Sequence, residues 1–191
     1  MRGGRQAVLN AAIRVFADKG YAGSSIREIC RVAGVTKPVL YYYFQSKEHL
    51  YQELMIDSFS GYLKSLLRAS KTGGTLRERL VRIAHDDIRS AKVDPVRTQF
   101  ILRMIFSPEG GRPYFNYVKE SERQRRVIAG VLQEGIDSGE IGGDARDLAT
   151  ALMGMDLIAV LEHLFTGRAI LTRRTAERHV DLLLNGAGMK T

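Results

Sequence analysis

The sequence predicts an all-α fold in two parts, three short N-terminal helices followed by a longer helical domain. Three observations predict it. Apolar residues recur with a helical period, and no stretch sustains the alternation of a strand. Cap residues precede most of the apolar runs, and glycines follow them. Charge is uneven: Arg2, Arg5, Arg14, Lys19, Arg27, Arg31, Lys37 and Lys47 stand against Asp18, Glu28 and Glu48 in residues 1–50, a net +5, and residues 51–191 carry the other +3 of the chain's +8. A basic head on a nearly balanced body points to a polyanionic partner, or to solubility alone.

The composition of the 191 residues, 45% hydrophobic and 26% charged, is globular, with enough length for one good core or two small subdomains. The one cysteine, Cys30, excludes an intramolecular disulfide and a multi-thiolate metal site. No run of consecutive apolar residues approaches the ~20 that span a bilayer. Met1 to Gln6 is basic but leads into an amphipathic pattern, not a signal-peptide core. A cytoplasmic protein without a membrane partner is expected.

Leu9, Ala12, Ile13, Phe16 and Ala17 form one apolar face of a first helix, about Arg5 to Lys19, closed by Gly20. Ser25-Ile26-Arg27-Glu28 is a capping box that opens a second helix with Ile26, Ile29, Cys30 and Ala33 inward. Gly34 ends that helix, where a tight turn requires positive φ. Thr36 caps a third helix, Lys37 to Phe44, with Pro38 in its first turn and Leu40 and Phe44 inward. Tyr41, Tyr42 and Tyr43 are consecutive, so at least two rings point to solvent or a partner. Helix, short glycine turn, helix is the helix-turn-helix layout, whose second helix enters the DNA major groove. Its N-terminal residues here are Thr36, Lys37 and Pro38. Lysine and tyrosine donors suit phosphate, as does a helix N-terminus.

Further helices follow. One runs from Ser46 to about Ser70 and stops at Gly73-Gly74. The box Thr75-Leu76-Arg77-Glu78 opens the next, to about Lys92. Asp94-Pro95 opens another, through about Phe106. A loop at Ser107 to Pro113 precedes a helix from about Tyr114 to Ser138, ended by Gly139. Asp144 caps a helix to about Thr166, and Thr172 opens the last, which ends near Asn185-Gly186. The helix from Asp144 is apolar over most of its circumference, so it needs cover on more than one side.

Residues 5–54 resemble the DNA-binding unit of the tetracycline-repressor-like (TetR) family of bacterial regulators. The resemblance rests on Ala11-Ala12, Phe16, Gly20-Tyr21, Ser24 to Ile29, Ala33 to Lys37, Leu40 to Phe44 and Ser46 to Leu50. It implies phosphate clamps at Tyr41, Tyr43 and Lys47, and a phosphate anchor at Thr36. It puts Lys37, Pro38 and Tyr42 toward base edges or methyl groups, and Arg27 within reach of a base or phosphate. Pro38 departs from the small residue usual there, which removes a backbone donor and adds bulk toward the groove. Arg5 and Arg2 either trail along the duplex or remain a solvated terminus.

The resemblance also implies an all-α architecture: an N-terminal three-helix helix-turn-helix DNA-binding unit (1–50) joined to a C-terminal helical ligand-binding and dimerisation domain (51–191). Its partners would be a double-stranded, near-palindromic operator, a second copy as homodimer, and a small-molecule effector. Residues expected on helices around the effector are Phe59, Tyr62, Leu66, Ile83, Phe100, Met104, Tyr114, Tyr117 and Met155, with Phe115 beside them; ordinary core packing explains each one equally well. His85, Asp86, Asp87, Arg103 and Glu120 are candidate polar anchors, or surface and core residues. Leu152, Leu157, Leu161, Val180, Leu183 and Leu184 are assigned to the dimer interface, or to a monomer's core.

Nucleophile-elbow, P-loop, dinucleotide and zincin patterns do not occur, and the four histidines are scattered. No enzyme, metal site or cofactor is expected. The function expected is a transcriptional repressor released from its operator by a ligand. Two alternatives stand beside it. One is a DNA-binding regulator that ignores small molecules. The other is an all-helical carrier or enzyme with an incidentally basic N-terminus.

Overall fold

In the computed structural model, residues 2–107 and 111–187 are described. Nine helices run through them in the order α1 (Arg2–Lys19), α2 (Ile26–Ala33), α3 (Lys37–Tyr43), α4 (Lys47–Lys71), α5 (Leu76–Val93), α6 (Pro95–Phe106), α7 (Tyr117–Asp137), α8 (Ala145–Thr166) and α9 (Arg173–Ala187). The described residues contain no strand. Two units are evident: residues 1–60 with 94–117, and residues 61–93 with 118–191. The expected division at residue 50 falls inside α4, which supplies residues to both units.

The helix ends follow local chemistry. Ser25 Oγ accepts from the Glu28 amide, and Gly34 takes the left-handed conformation (φ 65°) that closes α2. Thr75 and Glu78 complete a reciprocal box: the Glu78 amide donates to Thr75 Oγ1 and the Thr75 amide to Glu78 Oε2. Asp94 accepts from the Arg97 amide ahead of Pro95, and Asp144 accepts from the amides of Arg146 and Asp147. Two expectations need correction. Thr36 sits at the N-cap of α3 without a side-chain cap bond. Helix α7 starts at Tyr117 rather than Tyr114, directly after Asn116, and the Tyr117 amide closes a turn on Phe115 O. The middle of the expected loop, residues 108–110, lies outside the described residues.

In the first unit, Val8, Ala12, Phe16, Ile29, Leu40 and Phe44 from α1–α3 meet Leu50, Tyr51, Phe100 and Met104 in one apolar core. Phe16 stacks on Phe100 at 6.1 Å between ring centres, and Arg103 donates to the final carbonyls of α1, Ala17 O and Asp18 O. Helix α6 is therefore part of the head although it follows α5 in the chain. In the second unit α5, α8 and α9 pack together. Arg77 grips Asp181 with two bonds of 2.6 and 2.9 Å, and Arg79 joins Ser70 O to the Glu134 carboxylate.

Helix α8 is long and apolar enough, by length and composition, to cross a membrane, with a mean hydropathy of 1.6. Its inner face, Ala149, Leu152, Asp156, Ala159 and Val160, is buried within the second unit.

Candidate nucleic-acid interface

The interface is built by α2, the Gly34 turn and α3. After α2, the Gly34 amide bonds to Arg31 O and the Val35 amide to Cys30 O, which reverses the chain within two residues. Leu40 and Phe44, both fully buried, then fix the rotation of α3. With those two inward, Tyr42 is 75% and Tyr41 48% exposed, while Tyr43 is half-buried against the core. A Cβ added at Gly4 would lie 3.3 Å from the Tyr43 ring, so that ring also rests against the start of α1.

Thr36, Lys37 and Pro38 are exposed at the N-terminus of α3, and Arg27 is exposed on α2. Five expected contacts (Thr36, Lys37, Pro38, Tyr41, Tyr42) thus share the exposed side of one short helix. Val39 joins them at 39% exposure. It escaped the sequence reading, although Leu40 and Phe44 inward already turn Val39 and Tyr42, three apart, outward.

Lys47 is placed differently from a free phosphate clamp. Its Nζ donates to Tyr21 O at 2.8 Å and to Ser24 O at 2.9 Å, and it sits 4.1 Å from the Tyr21 ring centre. Burial lowers its pKa. The ammonium locks the α1–α2 connection to the start of α4, and one of its three protons is left for a phosphate. Arg5 is folded back: it pairs with Glu53 at 2.7 Å and lies over the Phe44 ring. The Arg2 side chain lies outside the described residues. Cys30 is buried beside Ile29, and burial pushes its thiol pKa up, so it is a packing residue.

The residues expected around an effector fall into both units. Phe100 and Met104 are fully buried in the head's core, and Phe59 stacks on Phe115 with Tyr117 edge-on beside it. Tyr114 is 79% exposed. Tyr62, Leu66, Ile83 and Met155 belong to the second unit, with Leu66 and Ile83 buried. Of the anchors, Arg103 caps α1 and Glu120 pairs with Arg123, while His85, Asp86 and Asp87 lie half-buried on α5. Of the dimer residues, Leu152, Val180 and Leu183 are buried within the protomer, whereas Leu157 is exposed and Leu161 and Leu184 are half-buried. Among the described residues no cluster of His, Cys, Asp or Glu could hold a metal.

An exposed, tyrosine-rich reading helix held by a glycine turn and a buried Leu/Phe pair defines a helix-turn-helix DNA-binding regulator. Residues 8–54 match the family model described as "Bacterial regulatory proteins, tetR family". The chain is 26% identical over 145 residues to the HTH-type transcriptional repressor KstR2 of Mycolicibacterium smegmatis, covering 73% of this chain and 68% of that protein. It is 28% identical over 137 residues to the fatty acid metabolism regulator protein of Bacillus subtilis, covering 70% and 69%. The structure of FadR from Bacillus subtilis in complex with stearoyl-CoA superposes with a TM-score of 0.76 at 21% identity, covering 95% of this chain and 98% of that one. Residues 8–54 are thus similar to the DNA-binding unit of the TetR family of bacterial regulators.

Proposed function

We propose that this protein is a homodimeric transcriptional repressor that leaves a near-palindromic operator when a small molecule occupies its helical body. The observation that carries the reading is the surface of α3, where Tyr41 and Tyr42 stand exposed beside Lys37 and Pro38 over a fully buried Leu40 and Phe44. Residues 1–60 with 94–117 act as the reading head and residues 61–93 with 118–191 as the dimerising, sensing body, with cytoplasmic DNA as the site of action. Thr36, Tyr41, Tyr43 and Lys47 hold phosphates; Arg27, Lys37, Pro38 and Tyr42 face bases.

Release follows from population shift: the effector must bind a conformer with mis-spaced heads more tightly than the operator-bound one. Tyr62, Leu66, Ile83 and Met155 are the residues proposed to line its site. The stearoyl-CoA complex of the Bacillus subtilis FadR makes a long-chain acyl-CoA the first effector to try.

Selection from random duplexes tests the reading. The expected product is a two-fold site with half-sites about 34–36 Å apart. Log affinity should fall linearly with log salt. No enrichment and no salt-dependent binding would overturn it in favour of an all-helical carrier or enzyme. Titration of the bound complex with long-chain acyl-CoA is expected to release the DNA. If neither acyl-CoA nor a broader effector panel releases it, the regulator works without a ligand.

A further inference from the structure

Successive residues of a helix are turned by about 100° about its axis, so the side chains of α3 can be placed around it. Leu40 and the C-cap residue Phe44, both fully buried, mark the inner side. Opposite them, within an arc of about 100°, fall Pro38, Tyr42 and Val39, with Tyr42 between the other two. All three are exposed, Tyr42 the most. Lys37 and Tyr41 fall on one flank of this arc and Tyr43 on the other.

The centre of the outward face is therefore apolar. Pro38 has no amide proton to donate. Val39 presents methyl groups, and Tyr42 presents a ring with one hydroxyl at its tip. That ring is braced. It meets Tyr43 edge-on, with 4.9 Å between ring centres and 80° between planes. Tyr43 in turn lies beside Phe44, and its ring rests against the start of α1 at Gly4. A ring already held in place loses little freedom on docking.

In the major groove, thymine alone among the four bases carries a methyl group, at C5. An apolar face pressed against that methyl buries it and leaves no polar group stranded. Cytosine in the same place would turn its amino donor toward side chains that cannot accept from it, and an unpaired donor removed from water is costly. Given the DNA-binding function proposed for the head, we propose that Pro38, Val39 and Tyr42 form a methyl-reading surface, in which Val39 is a further specificity-determining residue and the operator half-site carries thymine beneath it. The basic charge of the head draws the duplex in, and the donors on the flanks of α3 meet its polar groups. The apolar centre selects the base.

Exchange of thymine for uracil removes the 5-methyl group and keeps the base pair. The probe is the duplex that the full chain selects from a random library, with each thymine of a half-site replaced in turn by deoxyuridine. At a contacted position the replacement is expected to weaken binding about three- to fivefold, the effect of one buried methyl group. The slope of log affinity against log salt should stay the same, because no phosphate contact is touched. At the position Val39 covers, the replacement should cost the Val39→Ala variant less than wild type, since the methyl has already lost its partner. Unchanged affinity for every uracil-containing duplex, or selected half-sites without thymine, would overturn the proposal. Equal uracil penalties in wild type and V39A at every position would overturn the role of Val39. A chain that selects no duplex at all would overturn the DNA-binding function itself, and the methyl-reading surface with it.

Discussion

Lys47 illustrates how one side chain can serve the fold and the interface together. Two of its protons go to Tyr21 O and Ser24 O, and these bonds tie the α1–α2 connection to α4. Lys47→Ala is therefore expected to cost about 1.5–3 kcal/mol of stability, the range for hydrogen bonds to a charged donor. If the third proton meets a phosphate, the same variant lowers the slope of log affinity against log salt by about 1. A slope equal to wild type, with the midpoint reduced, would make Lys47 a purely internal strut. Tyr41→Phe separates the two roles from the other side. The ring is 48% exposed, so loss of its hydroxyl should leave the midpoint unchanged. It should weaken binding by about 1 kcal/mol on every sequence alike, with no change of slope, because a neutral donor releases no counterion. The tyrosine run was legible in the sequence because Leu40 and Phe44 fix which side of α3 is inward. The internal bonds of Lys47 were not, because they depend on two carbonyls more than twenty residues away whose positions only the folded head defines.

At the scale of the helix, ends were more legible than beginnings that lack a cap. Ser25, Thr75, Asp94 and Asp144 open their helices as residue type alone predicts, because a cap is a contact between residues two or three apart. Helix α7 begins directly after Asn116, another residue type favoured at an N-cap, three residues later than the sequence reading placed it. Packing between helices was the illegible part, and glycines show why. Gly130 and Gly135 both lie in α7, and sequence does not distinguish them. A Cβ at Gly135 would come within 2.4 Å of Leu76 Cδ2 on α5, whereas nothing stands within 4 Å of one at Gly130. Gly135→Ala is expected to destabilise the protein by about 1–3 kcal/mol through overpacking. Gly130→Ala is expected to stabilise it by up to about 1 kcal/mol through helix propensity. Chemical denaturation of both variants checks the pair; equal shifts in one direction would mean that α5 and α7 do not approach at Gly135. The placement of α6 in the head was hidden for the same reason. Phe100 and Met104 read as adaptable pocket residues in sequence, yet their partners are Phe16 and its neighbours, some eighty residues earlier.

For the whole molecule, the unanswered demand is the outer face of α8. Ala151, Gly154, Ile158, Leu161 and Phe165 recur at a helical spacing on the side opposite Leu152 and Asp156. Ile158 is 62% and Phe165 83% exposed, and Leu182 on α9 is 67% exposed. The sequence showed that α8 needs cover on two sides but not which residues take which side. It therefore left Leu152, Val180 and Leu183 between a partner and the protomer's own core, and they are buried within the protomer. A two-fold operator offers two equivalent half-sites, and an isologous contact along this face would carry two heads to them. The diagnostic variant must then alter the outer face alone. Leu152→Glu would place a charge in the core and unfold the body, which says nothing about association. Ile158→Glu puts the charge on an exposed position and should leave the circular dichroism and thermal midpoint of the isolated chain close to those of a folded protomer. Light scattering is expected to give wild type twice the 21.4 kDa of one chain, and Ile158→Glu a single chain. Operator binding by that variant should fall toward the affinity for non-specific duplex, about a thousandfold or more, because each head then pays the entropy of association separately. An unchanged mass would show that α8 does not carry the dimer. An unchanged operator affinity in a monomeric variant would show that one head suffices, and the two-fold design of the repressor would have to be given up.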